Sequence, residues 1–144
     1  MKPIRVYRII VVEDNPADVY LLRRALSQAG LQCDLTVIDD GADALAYIQS
    51  SAQGGPRPDL AVLDLNLPGH SGIEVLGSVR QSKNLTDLPV VVMTSSASLP
   101  ERRQVEQLGV SRFITKPHDL NDFLQIGEVL KEVLMRTEAR ANCR

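Results

Sequence analysis

The sequence predicts an α/β protein, a doubly wound parallel sheet with helices on both faces, and three observations carry that prediction. Runs of aliphatic and β-branched residues recur at about 7–12, 33–38, 59–64, 89–94 and 111–115. Each run is followed by a stretch in which apolar residues repeat at helical spacing. The runs themselves are nearly continuous rather than alternating, the pattern of strands buried on both faces by crossover helices.

The helices follow in order. Asn15 can cap the first, whose first-turn Pro16 lacks an amide that the helix would leave unpaired, and Val19, Leu22 and Leu26 then repeat until Gly30. Asp40 precedes a second helix with Ala44, Leu45 and Ile48, and Gly72 opens a third with Ile73, Val75, Leu76 and Val79. Pro100 starts the fourth, which contains Val105 and Leu108 and stops at Gly109. The last begins near Asp119, carries Leu120, Phe123, Leu124, Ile126, Leu130 and Leu134, and extends to about Ala139, beyond what the core requires. Right-handed crossovers between five such strands give, as the simplest topology, a flavodoxin-like (βα)5 sheet of order 2-1-3-4-5, with its switch point between strands 1 and 3. The Gly-, Ser- and Pro-rich loop 50–58 falls at the opposite end and reads as a surface turn.

At 144 residues the chain suits a single domain, with a core over about 7–134 followed by an extended C-terminal helix and tail. A net charge of -2 without a basic patch, and 3% aromatics without Trp, argue against direct nucleic-acid binding. No apolar stretch approaches the ~20 residues of a membrane span, so the expectation is a cytoplasmic protein. Cys33 and Cys143 are too far apart in sequence to suggest a disulfide or zinc pattern.

Three strand runs end in charge: the first in Glu13-Asp14, the third in Asp64, the fifth in Lys116. In an open parallel sheet the carboxyl ends of the strands share the ligand-binding edge. Taking ~5 Å between carboxylates and an effective dielectric of ~20, each like-charged pair costs roughly 3 kcal/mol, so three ionised acids repel by about 10. Lys116 offsets one charge, and an all-oxygen site with room for waters suits Mg²⁺ for the rest. Such a pocket is suited to receiving a phosphoryl group, with Asp64 attacking phosphorus. Thr94, at the end of the fourth run, could donate its hydroxyl to a phosphoryl oxygen.

Glu13-Asp14, Asp64 with Asn66 and Pro68-Gly69, Thr94-Ser95 and Phe113-Ile114-Thr115-Lys116-Pro117 together resemble the motif set of two-component response-regulator receiver domains, over about Tyr7 to Leu134. The resemblance implies that Asp64 accepts phosphate from a phosphohistidine on a sensor histidine kinase. It also implies that Asp14, Asp64 and the Asn66 backbone carbonyl bind Mg²⁺, with Glu13 acting through water. Thr94 and Lys116 would contact the phosphoryl group, and Phe113 would be the switch aromatic that rotates inward as Thr94 moves. A cis Lys116–Pro117 bond is implied as well. With no second domain following, the chain looks like a stand-alone regulator. It is similar to chemotaxis-type proteins and, through Glu13-Asp14-Asn15-Pro16-Ala17-Asp18, Asp64-Leu65-Asn66-Leu67-Pro68-Gly69 and the long final helix, to regulators that partner phytochrome kinases.

Taken singly, each residue has a plainer reading. Asp14 could cap a helix, Asp64 could hold a loop amide, Asn66 could shape the turn before Pro68, and Phe113 could be a core aromatic. His70 and His118 lack metal-ligand spacing and read as solvated loop residues. Among other functions, a haloacid dehalogenase-type phosphatase also uses a strand-end Asp and Mg²⁺, but needs a general acid two residues on, where this chain has Asn66. A flavin or nucleotide carrier would be repelled by Glu13-Asp14, and a pseudo-receiver scaffold sits poorly with an intact motif set. The expectation is therefore a signalling protein rather than an enzyme acting on an external substrate. Its output would be a change of surface, such as homodimerisation through the fourth helix, fifth strand and fifth helix, involving Val105, Leu108, Phe113 and residues such as Val133 and Leu134.

Overall fold

A computed structural model describes residues 4–51, 54 and 56–142. Met1–Pro3, Cys143, Arg144 and part of the 50–58 loop lie outside that description. The chain alternates β1 (Val6–Val12), α1 (Pro16–Gln28), β2 (Gln32–Ile38), α2 (Gly41–Ser51), β3 (Leu60–Leu63), α3 (Gly72–Gln81), β4 (Val90–Thr94), α4 (Leu99–Leu108), β5 (Arg112–Thr115) and α5 (Leu120–Asn142). All strand pairings are parallel and the order is β2-β1-β3-β4-β5, as the sequence predicts.

Strand residues alternate between two cores. Ile9, Val11, Leu60, Val62, Val91 and Met93 face α1 and α5, where Leu22, Leu26, Ile126 and Leu130 cover them. Ile10, Val12, Ala61, Leu63, Val90 and Val92 face the other way, against Ile48, Val75, Leu76, Val79 and Val105. Both residue parities are buried, which is why the runs read as continuous.

Local chemistry sets the helix starts. Asn15 accepts from the Ala17 amide at 3.0 Å with Pro16 in the first turn of α1. Ser98 and Glu101 form a reciprocal capping box, so α4 starts at Leu99 and Pro100 falls inside its first turn rather than opening it. The half-buried Arg80 of α3 donates to the carbonyls of Leu108, Gly109, Thr86 and Leu88 at 2.7–3.2 Å, stapling the end of α4 to the segment before β4.

α5 crosses α1 closely at Gly127, where a Cβ would collide with the Ala25 carbonyl. It runs past the expected Ala139 because its last turns have partners. The Tyr7 hydroxyl donates to Glu138 at 2.8 Å, and Arg5 pairs with Glu138 at 2.7 Å and with Asp59 at 2.9 Å.

Three expectations need correction. Val133 (6% exposed) and Leu134 (2%) are buried beneath α5, and Val105 (0%) beneath α4, so none of them offers a docking surface. Their helices pack these side chains inward at the same spacing that made them look available. Lys116–Pro117 is trans, as is every peptide bond among the described residues, in line with the ordinary trans preference of X–Pro bonds.

Candidate functional site

The sheet register brings the charged strand ends together. Val12 lies beside Leu63 and Thr94 beside Thr115, so Glu13, Asp64, Thr94 and Lys116 emerge at one edge. Backbone pairing continues to that edge, from Glu13 N to Ile38 O (2.9 Å), Asp64 N to Val12 O (3.0 Å) and Lys116 N to Thr94 O (2.8 Å). Gly72 lets α3 start directly against β3, since a Cβ there would strike the Asp64 carbonyl. Among the described residues the buried polar side chains are Glu13, Asp64 and Thr94, all three of them at this edge.

Asp64 Oδ2 accepts from Lys116 Nζ at 2.8 Å, and its Oδ1 accepts from the Asn66 amide at 3.0 Å. Lys116 Nζ also donates to Asp18 Oδ2 at 2.8 Å. Nζ lies 2.6 Å from Glu13 Oε1, an ion pair whose angles leave that buried oxygen without an aligned hydrogen-bond donor. The Asn66 side-chain amide donates to Thr94 Oγ1 at 3.0 Å and to Ser96 O at 3.1 Å, while the Thr94 hydroxyl donates to Ser96 O at 3.1 Å. Phe113 lies outside this cluster, half-buried on the α3 and α4 side of the sheet, with the Arg102 guanidinium 4.6 Å above its ring.

Burial pushes the Glu13 carboxyl up to about 7, reinforced by the charge on Asp64 and opposed by Lys116. For Asp64 burial works upward too, but the hydrogen bonds from Lys116 and Asn66 outweigh it and hold the carboxyl below its ordinary value. Lys116 is driven above the usual lysine range, because its bonds to Asp18, Asp64 and Glu13 overcome the effect of burial.

One oxygen from each of Glu13, Asp14 and Asp64 lies within 4.8 Å of the others. A carboxylate set of this kind, including one buried oxygen that lacks a donor, fits a hard divalent cation. Asp18 is the residue that sequence reasoning passed over. It stands in the first turn of α1, where an acid reads as a complement to the helix dipole. Its place one turn into α1, directly after Glu13-Asp14 and the capping Asn15, was the available signal.

A five-stranded parallel sheet with an acidic, cation-type pocket at its carboxyl edge defines an α/β domain of the receiver class. The chain belongs to the response regulator receiver domain family, which matches residues 9–128. It is 33% identical over 131 residues to "Response regulator Rcp1" of Synechocystis sp., covering 90% of this chain and 89% of that one. The structure of the phosphorylated cyanobacterial phytochrome response regulator RcpA superposes with a TM-score of 0.81 at 33% identity, over 92% of this chain and 96% of that one. The Mn²⁺-bound form of Rcp1 does so at 0.77 and 33%, over 87% and 91%. The family membership favours the receiver reading over a dehalogenase-type phosphatase.

Proposed function

We propose that the chain accepts a phosphoryl group on Asp64 from a sensor histidine kinase and signals through the surface change that follows. The observation that carries this reading is the placement of Asp64, 5% exposed at a strand end, with one oxygen held by Lys116 and the other by the Asn66 amide. An Asp64 oxygen forms a bond to phosphorus as the bond from phosphorus to the donor's imidazole nitrogen breaks, the electron pair leaving with nitrogen.

Lys116 passes hydrogen bonds from carboxylate to phosphoryl oxygens, and the Thr94 hydroxyl rotates from Ser96 O toward the same group. Mg²⁺, held by Asp14, Asp64 and the Asn66 backbone carbonyl with Glu13 acting through water, would supply positive charge to the transferring oxygens. The Asn66 side chain, bonded to Thr94 and two residues beyond Asp64, influences the attacking water in a self-dephosphorylation that is at most slow. Phe113 leaves its contact with Arg102 when Thr94 moves, carrying the change to α4 and β5.

The likeness to a cyanobacterial phytochrome response regulator supports a phytochrome kinase as the donor. Among the described residues no helix is long and apolar enough to cross a membrane, and a cytoplasmic site of action accords with this role. Activation tightens a homodimer through α4, β5 and α5, using partly exposed Leu108 and Phe113 rather than the buried valines. Incubation with Mg²⁺ and acetyl phosphate labels wild type and not Asp64→Asn; equal labelling of both would sink the assignment.

A further inference from the structure

We propose that Asp18 is a positioning residue for Lys116, staying paired with the ammonium when the pocket is loaded and weakening, through its charge, the pocket's hold on phosphoryl-type anions. The inference deepens the receiver reading and rests on Asp64 being the acceptor.

Lys116 leaves the end of β5 and reaches past Asp64 to the elements around β1, where three carboxylates meet its ammonium at 2.6–2.8 Å. Two of these, Glu13 and Asp64, belong to the trio that converges within 4.8 Å and fits a divalent cation. A cation there competes with Lys116 for both. Asp18 lies outside the trio, on α1, and its bond to Nζ is aligned at 2.8 Å with both side chains largely shielded, 17% and 11% exposed. It is therefore the one partner of Lys116 that metal loading leaves in place.

Two effects then act in the same direction. One of the three ammonium hydrogens stays committed to Asp18 and is unavailable to an incoming anion. The charge balance shifts as well. In the metal-loaded pocket, with all four acids ionised, Glu13, Asp14, Asp18 and Asp64 against Lys116 and a divalent ion leave one negative charge, so the loaded pocket is anionic rather than neutral. A negative charge in a shielded site repels a second anion and attracts the metal, so Asp18 moves the two affinities in opposite directions.

The test uses the full chain and isothermal titration with Mg²⁺, then with beryllofluoride at saturating Mg²⁺. Asp18→Asn keeps an acceptor oxygen for Lys116 and removes the charge. It should bind beryllofluoride roughly three- to tenfold more tightly and Mg²⁺ about two- to fivefold more weakly. Asp18→Glu should return both affinities toward wild type. A residue that merely supports the fold would weaken both ligands together on substitution. Unchanged or weaker beryllofluoride binding by Asp18→Asn, with wild type binding normally, overturns the role of Asp18 alone. Failure of wild type to bind beryllofluoride at all overturns the receiver reading and this inference with it.

Discussion

Asn66 and Thr94 are joined by a 3.0 Å hydrogen bond from amide to hydroxyl, and both donate to the Ser96 carbonyl. The loop after β3 and the loop after β4 are thus tied across the mouth of the pocket before any phosphoryl group arrives. Asn66→Ala removes two of these three bonds. With net contributions of ~0.5–1.5 kcal/mol per bond, partly recovered by water, the variant should lose about 1 kcal/mol of stability. Urea unfolding measures it, and an unchanged midpoint would mean that water replaces the amide fully.

Lys116 carries the positive charge among the three carboxylates that meet it. Lys116→Met leaves those acids facing one another without it, and losing one partner of a buried ion pair costs ~3–5 kcal/mol. The metal-free variant should accordingly melt well below wild type. Mg²⁺ should raise its melting temperature more than it raises that of wild type, because the ion replaces the missing charge. Equal Mg²⁺ shifts in the two proteins would show that the ammonium and the ion do not share these acids.

Glu13 gives the metal-free protein a pH dependence of definite sign. Its carboxyl is raised by burial from 4.5 to about 7, so the folded chain holds a proton that the unfolded chain releases. Between those values stability falls as pH rises, levelling above about 7, by up to about 3 kcal/mol at roughly 1.4 kcal/mol per unit. Asp64, held below its ordinary value, contributes stability that is lost only as pH falls through its own lower range, and Lys116 titrates far above. Denaturation in chelator at about pH 5 and about pH 8 tests the slope, which Glu13→Gln should flatten. Mg²⁺ affinity should climb across the same window.

Arg80 donates to four carbonyls from two separate segments. Arg80→Ala leaves those carbonyls without their donor and should cost about 2–4 kcal/mol in chemical denaturation. Arg80→Lys should recover little, since one ammonium lacks the planar fork that reaches them together. Full recovery by lysine would reduce the staple to a simple charge.

The strands and the converging acids were legible because burial on two faces and charge at a strand end both leave marks in linear order. Asp64, Glu13, Asp14, Thr94 and Lys116 each follow or close an apolar run, so the sheet alone assembles them. Asp18 left a weaker mark, since its approach to Lys116 depends on how α1 leans over the sheet. Arg102 over Phe113 and Arg80 on its carbonyls were illegible for the same reason. The inward turn of Val133, Leu134 and Val105 was hidden because a helical stripe tells which residues share a face and not what covers it.

The long final helix has a mechanical side. Gly127 is the eighth of its 23 residues, so at ~1.5 Å per residue about 10 Å of α5 lies toward the Lys116 end and about 22 Å toward Glu138. Tilting about the close contact with Ala25 swings the far tip roughly twice as far as the near one. Arg5 and Tyr7 hold the longer arm at Glu138, about one turn short of its end. α5 is thus divided by this contact into unequal arms, the shorter ending beside the pocket and the longer anchored to the start of β1 at the opposite end of the sheet.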